Sequence, residues 1–148
     1  MPQSSIPYVP SLEEKVRIII ELAGPLQGKM TADLGSGDGR IVIAFAKNGA
    51  RAHGFEIDPG RVALARKNIE DAWLDGLAII HPQSFWEANL GEFDILTLYG
   101  ITSIMERLEK KIDQEGKPGL VIISNVFTFP NWTPVTEREN VYVYRKSL

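Results

Sequence analysis

The stretch that organises this chain is TADLGSGDGRIVIA, which runs from Thr31 to Ala44. It continues a short run that opens at Met30 and predicts a buried β-strand. Three glycines at alternate positions then interrupt the run, at Gly35, Gly37 and Gly39, and an apolar-periodic segment that predicts a helix follows. A strand, a glycine loop and a helix N-terminus together present backbone N–H groups and a positive helix end to a negatively charged ligand group.

The spacing of these glycines distinguishes two classes of cofactor. The pattern is G-x-G-x-G, and Arg40 stands where the third glycine of the dinucleotide pattern G-x-G-x-x-G would fall. We expect the Arg40 side chain to obstruct the close helix–strand approach that this glycine permits, which argues against a nucleotide-dependent oxidoreductase. With the acidic Asp33 before Gly35, the stretch resembles motif I of the Rossmann-like S-adenosylmethionine (SAM) methyltransferases.

Composition indicates an ordinary globular domain. The chain has 148 residues, of which 44% are hydrophobic and 24% charged, so we expect a single domain spanning 1–148. It contains no cysteine, which excludes thiol catalysis, disulfides and cysteine-ligated metals. A formal net charge of −3 without a concentrated basic stripe disfavours a nucleic-acid partner. We find no signal sequence and no apolar run of membrane-spanning length, so we expect a cytoplasmic protein.

Strand and helix signals alternate through residue 126, which predicts an α/β fold with a mostly parallel, doubly wound sheet. Prolines make residues 1–10 extended or irregular. Predicted helices follow a capping box at Ser11–Glu14, the glycine loop, Asp58-Pro59 and a second capping box at Ser103–Glu106. Predicted strands lie at 30–34, 51–57, 77–80, 93–99, 120–126 and 141–144.

Glu56, at the end of the second predicted strand, is the second acidic residue of interest. It follows Gly35 by 21 positions, and in this architecture the end of that strand lies beside the glycine loop. A carboxylate there can bind both hydroxyls of a ribose, whereas the alternative is an exposed acid paired with a nearby Arg or Lys. The separation from the glycine loop favours ribose binding, and we include the adjacent Ile57 in the predicted cofactor site.

The glycine loop supplies further candidate cofactor contacts. Asp33 can position the loop and the amino-acid end of a ligand, because a carboxylate accepts hydrogen bonds from an ammonium or a backbone N–H. Gly35 and Gly37 allow positive φ and close backbone approach, and Ser36 lies between them. Asp38 is expected to cap the following helix.

Two further segments complete the predicted site. Ser84 and Phe85 follow the third strand, where a methyltransferase contacts the adenine, although Phe85 or Trp86 can equally be a core aromatic. Tyr99 ends the fourth strand at the switch point of the sheet and is the candidate catalytic residue, with a tyrosine that merely plugs the sheet edge as the alternative. Methyl transfer from a sulfonium is an in-line displacement that needs mainly orientation, and an aromatic face stabilises a nearby cation by about 0.5–2 kcal/mol.

No other catalytic constellation competes with this one. His53 and His81 have no spacing partner that suggests a metal or a catalytic triad, so both are predicted to be structural and no metal site is predicted.

Across most of its length the chain resembles the small archaeal-type protein lysine methyltransferases, which are related to mitochondrial lysine methyltransferases. The segments that carry the resemblance are YVPS at 8–11, DLGSGDGRI at 33–41, GFEIDP at 54–59, FWE at 85–87, TLY at 97–99 and FPNWTP at 129–134. The resemblance implies a Rossmann-like sheet with a central first strand and an antiparallel strand near the end. It also implies SAM as cofactor, protein lysine as methyl acceptor and a position near the donor for Tyr8.

The chain departs from this family pattern at three points. Gln83-Ser84 replaces the Gly-Asp of many members, and Asn125 stands where the family has a histidine or an acid. Only one strand is predicted after the fifth, so the C-terminal part is expected to be abbreviated. An RNA or small-molecule acceptor, or a SAM-binding module without turnover, therefore stays open beside the lysine hypothesis.

Overall fold

The computed structural model of the protein describes residues 10–148. The segment 1–9, with the predicted extended chain and Tyr8, lies outside the described residues. The described chain forms four α-helices, seven strands and two short 3₁₀ turns at Phe85–Glu87 and Leu90–Glu92. The helices are α1 (Leu12–Ala23), α2 (Arg40–Lys47), α3 (Pro59–Asp71) and α4 (Thr102–Glu115). The strands are β1 (Met30–Leu34), β2 (Arg51–Phe55), β3 (Ala78–His81), β4 (Ile95–Leu98), β5 (Val121–Asn125), β6 (Thr136–Arg138) and β7 (Val141–Arg145).

All seven strands join one sheet in the order β3-β2-β1-β4-β5-β7-β6. The first five strands are parallel, and β7 runs antiparallel to both β5 and β6. The chain moves outward from β1 in one direction through β2 and β3, then returns to the other side of β1 with β4. This reversal places a crevice at the carboxyl ends of β1 and β4, where ligands bind in open α/β sheets. The predicted Rossmann-like fold class is confirmed.

Hydrophobic side chains cover both faces of the sheet, which explains why β4 is buried along its whole length. The helices α1, α2 and α3 pack on one face and α4 packs on the other. Each fully buried large side chain contributes about 1.5–3 kcal/mol. The largest of them on the first face include Phe45, Val42 and Ile123, and on the second face Phe93, Leu96, Leu108 and Ile112. Among residues 10–148, no helix is long and apolar enough to cross a lipid bilayer.

The helix caps predicted at Ser11 and Asp58 are confirmed. Ser11 Oγ accepts the Glu14 N–H at 3.2 Å, and Asp58 Oδ2 accepts the Arg61 N–H at 2.9 Å. The capping box at Ser103 is wrong, because α4 already begins at Thr102 and its N-cap residue, Ile101, forms no side-chain cap. Met105 in the first turn of this helix is buried, and its Sδ lies so near Gly100 that a Cβ there would approach it to 2.7 Å.

The C-terminal part contains one strand more than the sequence predicts. The missed strand, β6, is short, polar and exposed along its length, so it lacks the hydrophobic alternation that marks a strand. It pairs with β7 through a tight turn at Glu139 and Asn140, whose φ values are both positive, at 51° and 61°. This geometry is that of a two-residue hairpin turn, which suits the right-handed twist of paired strands.

The Pro-Asn-Trp element of the family pattern has a structural role. Asn131 donates its backbone N–H to Glu109 Oε2 at 2.8 Å and its side-chain Nδ2 to Glu109 Oε1 at 2.7 Å. Glu109 lies on α4 and is buried. Trp132 packs near Phe129 and Tyr144, whose hydroxyl accepts the Phe129 N–H at 3.0 Å. These contacts fasten the loop between β5 and β6 to α4.

We predict that Asn131→Ala lowers the free energy of unfolding by about 2 kcal/mol, because Glu109 Oε1 loses a hydrogen bond inside the protein. Urea denaturation measures the change. Lys110→Ala, at an exposed position of the same helix, is the matched control and should alter stability by less than about 0.5 kcal/mol. Equal stability of the two variants would contradict the structural role of Asn131.

Candidate active site

The glycine loop between β1 and α2 is tied to the end of β2. Gly35 and Ser36 both donate their N–H groups to the Phe55 carbonyl, at 2.9 and 3.0 Å. Gly35 and Gly37 have φ values of +84° and +56°, in the left-handed region that side chains disfavour. The positive φ predicted for both glycines is therefore confirmed, and the backbone at Gly35 and Gly37 carries no Cβ atom.

The surroundings of the third glycine, Gly39, and of Arg40 explain the G-x-G-x-G spacing. A Cβ on Gly39 would lie 3.2 Å from Ala65 Cβ, so the close approach between the loop and α3 occurs at Gly39. Arg40 comes one residue later and points to the surface, where its guanidinium contacts Asp38 at 2.6 Å. The N-cap residue of α2 is Gly39 and not the predicted Asp38, which lies one position earlier. Asp38 Oδ1 still accepts the Arg40 N–H at 3.1 Å and so satisfies a free donor at the start of α2.

Glu56 is a buried carboxylate held by backbone N–H groups. Only 6% of the residue is exposed. Its Oε1 accepts the Gly37 N–H at 2.8 Å and its Oε2 accepts the Asp58 N–H at 3.0 Å. The alternative of an exposed acid paired with Arg or Lys is therefore wrong. Each carboxylate oxygen can accept a second hydrogen bond, so both can also receive the hydroxyls of a ribose.

Asp33 is a second buried carboxylate, near the first. Its Oδ1 accepts the Thr97 hydroxyl at 2.8 Å, because the register of β1 and β4 pairs these two residues directly. Burial is the main cause that raises the pKa of Asp33 to about 7; the Thr97 hydrogen bond opposes the rise, and the charges of Glu56 and Asp38 add to it. A bound cation would relieve this unfavourable charge, which fits the predicted contact with an ammonium group.

Ser36 contributes to the loop mainly through its backbone. Its side chain is buried against β2, and a Cβ on Gly54 would lie 2.6 Å from both Ser36 Cβ and Oγ. Within the described chain the Ser36 Oγ has no hydrogen-bond partner. Gly54 is thus required by the packing of the loop, and sequence reasoning assigned no role to it. The feature of the sequence that points to Gly54 is its position two residues before Glu56.

Tyr99 lies at the mouth of a cavity of about 290 Å³ at the carboxyl ends of β1, β4 and β5. Asp33, Gly35, Ser36 and Gly37 line the same cavity, so the structure brings five predicted site residues together. Tyr99 is 63% exposed, which does not fit a side chain that plugs the sheet edge. The Phe127 ring lies edge-to-face with its ring, with centroids 5.8 Å apart, and so limits its orientation.

The remaining predicted residues follow β2 and β3 in the chain. Ile57 is 71% exposed. Ser84 Oγ accepts the Trp86 N–H at 3.2 Å and caps the 3₁₀ turn that contains Phe85. The Glu56 N–H donates to the His81 carbonyl at 3.1 Å and so links the end of β3 to the ribose-binding candidate. Ser84 and Phe85 do not line the cavity at Tyr99, and their predicted contact with adenine stays a prediction.

Trp86 is occupied by protein contacts. The Arg107 guanidinium lies 3.9 Å from the Trp86 ring centroid, and the Phe85 ring packs 4.8 Å away. An arginine over an indole ring contributes a cation–π interaction. Of the two aromatics proposed for the base, Trp86 is therefore held in the α4 interface.

His53 and His81 are hydrogen-bond partners of each other, which fits the structural role predicted for both. His53 Nδ1 lies 2.9 Å from His81 Nε2. The register of β2 and β3 brings them together, although 28 positions separate them in the sequence. Burial lowers the pKa of both, which favours the neutral, hydrogen-bonded pair. Within residues 10–148, no group of three or more His, Asp or Glu side chains is arranged to hold a metal ion.

Comparison with known proteins identifies related chains. The model of the ANTKMT methyltransferase domain matches residues 33–136. A protein-lysine N-methyltransferase of Saccharolobus islandicus (strain REY15A) is 38% identical over 131 residues, which cover 87% of this chain and 81% of that protein. The adenine nucleotide translocase lysine N-methyltransferase of Mus musculus is 34% identical over 131 residues, and the match covers 88% of this chain but only 57% of the mouse protein.

A solved structure agrees along almost the whole chain. An RNA methyltransferase from Salinibacter ruber, crystallised with S-adenosyl-L-homocysteine, superposes with a TM-score of 0.84 and 35% sequence identity. The alignment covers 93% of this chain and 92% of that one.

We predict that Asp33→Asn stabilises the protein in a pH-dependent way. The pKa of Asp33 in the folded state, about 7, lies above its ordinary value of 3.8, so the folded state binds more protons between these limits. The contribution of Asp33 to stability is therefore fully present below about pH 4 and lost as the pH rises through 7. The free energy of unfolding of Asp33→Asn should exceed that of the wild type by about 2–4 kcal/mol at pH 8 and by much less at pH 5.

Urea denaturation at the two pH values tests this expectation. Asp75→Asn, at an exposed position, serves as the control and should leave the pH dependence unchanged. A difference between Asp33→Asn and wild type that is the same at pH 5 and pH 8 would show that Asp33 does not titrate in this range.

Proposed function

This chain belongs to the ANTKMT methyltransferase domain family, and we propose that it transfers the methyl group of SAM to the ε-amino group of a lysine in a protein substrate. The observation that carries the proposal is the pair of buried carboxylates, Asp33 just before the glycine loop and Glu56 hydrogen-bonded to Gly37 within it. Family membership confirms the resemblance to protein lysine methyltransferases that the sequence motifs predicted.

The residues of the site fit SAM. Glu56 offers two fixed acceptor oxygens for the ribose hydroxyls, and the glycine loop allows close approach of the ligand. Asp33 offers a carboxylate whose ionisation a neighbouring ammonium would favour. When bound, SAM supplies an electrophilic methyl group on a positively charged sulfur.

The chain's own residues orient and desolvate the reacting groups. The exposed Tyr99 ring stands at the cavity mouth, where its face can stabilise a cationic amine or sulfonium. A lysine amine must be neutral to attack, and with a reference pKa of about 10.4 only about one in 2,500 is neutral at pH 7. Desolvation and nearby positive charge both lower that pKa, so a dedicated general base is unnecessary.

We predict that substitutions at Glu56 and Tyr99 separate binding from turnover. Glu56→Ala removes two charge-assisted hydrogen bonds to the ribose and should weaken SAM binding at least about 100-fold by calorimetry. Tyr99→Ala should instead lower kcat about 2- to 30-fold with little change in SAM affinity, because it removes the aromatic face.

Tyr99→Phe is the matched control, since it keeps the ring and loses only the hydroxyl, and most of kcat should survive. Unchanged SAM affinity in Glu56→Ala would overturn the ribose assignment. Equal losses of kcat in Tyr99→Phe and Tyr99→Ala would show that the hydroxyl, not the ring face, matters.

An RNA acceptor is the second candidate, because the solved relative from Salinibacter ruber bears the name of an RNA methyltransferase. The charge of this chain argues against it: a formal net charge of −3 offers little attraction for a phosphate backbone. The acidic balance therefore favours a protein acceptor. The predicted cytoplasmic location likewise remains a proposal.

Labelling a fractionated lysate with methyl-tritiated SAM decides between the acceptors. We expect label that protease releases and ribonuclease does not, and that amino-acid analysis recovers as methyllysine. Label released by ribonuclease would overturn the lysine proposal. SAM binding without label in any fraction would instead favour a SAM-binding module without turnover. The Glu56→Ala variant is the control that measures background labelling.

A further inference from the structure

A lysine of α1 fixes one polar wall of the active-site cavity. Lys15 Nζ donates to Asn125 Oδ1 at 3.0 Å and to the Glu139 carbonyl at 2.7 Å. Asn125 ends β5 and lines the cavity together with Asp33 and Tyr99. Three separate elements, α1, β5 and the β6–β7 turn, therefore meet at the Lys15 ammonium group, which contacts the Asn125 side chain directly.

The contact with Lys15 determines which way the Asn125 amide faces. An ammonium group donates hydrogen bonds and accepts none, so the amide oxygen must be the atom next to Lys15. The Nδ2 group then lies on the opposite side of the amide, and in the described part of the chain it has no hydrogen-bond partner. Asn125 therefore presents two N–H donors that are free to bind an acceptor group.

The backbone after Asn125 is held as firmly as the side chain. Val126 has a φ of 77°, an uncommon value for a β-branched residue, and its N–H donates to the Asn140 carbonyl at 2.7 Å. Ser124 Oγ donates to the Phe127 carbonyl. Strained backbone that is retained by surrounding contacts is a frequent feature of ligand sites.

Most other polar side chains of the cavity already have protein partners. The Thr97 hydroxyl donates to Asp33, and the Arg40 guanidinium contacts Asp38. The remaining side-chain donors among the described lining residues are the hydroxyls of Ser36 and Tyr99 and the Asn125 amide, and only the amide is oriented by a cation. The methionine end of SAM carries both an ammonium, for which Asp33 is the acceptor, and a carboxylate, which requires donors.

We propose that Asn125 Nδ2 donates to the methionine carboxylate of SAM and that Lys15 is the positioning residue that holds the Asn125 amide in the required orientation. The proposal rests on the SAM-dependent function given above. It assigns opposite ends of the amino-acid group to opposite walls of the cavity, with Asp33 on β1 and Asn125 on β5.

Two ligands that differ in one group test the proposal. SAM and decarboxylated SAM differ only in the carboxylate, and calorimetry gives the dissociation constant of each. We expect Asn125→Ala to weaken SAM binding about 10- to 100-fold and decarboxylated SAM binding less than about threefold. Asn125→Asp places a carboxylate beside the ligand carboxylate and should weaken SAM binding further, again with little effect on decarboxylated SAM.

Lys15→Met keeps the aliphatic stem of the side chain and removes its donors. It should weaken SAM binding about 3- to 10-fold and spare decarboxylated SAM, because the amide loses its fixed orientation. Lys47→Met, at an exposed position of α2, is the matched control and should leave both constants unchanged.

Equal losses for the two ligands in Asn125→Ala would overturn the proposal and indicate general damage to the cavity. Unchanged binding of both, with a raised KM for the methyl acceptor, would overturn it in favour of an acceptor contact. Failure of the wild-type protein to bind SAM would instead contradict the proposed function itself, so the two failures are distinguishable.

Discussion

The Glu56 carboxylate is the contact on which the arrangement of the site depends. Its two oxygens accept N–H groups from Gly37, in the loop after β1, and from Asp58, at the start of α3. One buried side chain thus joins two βα connections that are consecutive in the chain. Burial strengthens such charge-assisted bonds, and it also makes the loss of either donor costly. The loop conformation and the position of the carboxylate therefore determine each other.

The negative charge at this end of the sheet explains how the fold is adapted to its ligand. Burial raises the pKa of Asp33, and Glu56 and Asp38 lie close enough for their charges to add to the rise. A cationic ligand relieves that repulsion, whereas the protein without such a ligand bears it. Arg40 neutralises Asp38 at the surface and leaves the two buried carboxylates to the ligand. An ionised Asp33 thus disfavours the fold without ligand while it favours binding of a cation, a trade-off common at functional sites.

The C-terminal hairpin supports the wall of the cavity that Asn125 forms. The β6–β7 turn supplies carbonyl groups to Lys15 and Val126, and the loop before it is fastened to α4 through Glu109. These contacts hold Asn125 and Phe127 beside Tyr99 although no helix separates β5 from β6 in the described chain. The hairpin thus extends the sheet beyond β5 and holds a residue of the cavity in place.

The sequence by itself determined the strand–loop–helix unit around Gly35, the carboxylate at Glu56 and the fold class, because these depend on local periodicity and glycine spacing. Tertiary structure alone decided the pairing of His53 with His81, the Asp33–Thr97 contact and the orientation of Asn125 by Lys15. Each joins residues at least 28 positions apart. Such contacts follow from strand register and helix packing, which local sequence patterns do not encode.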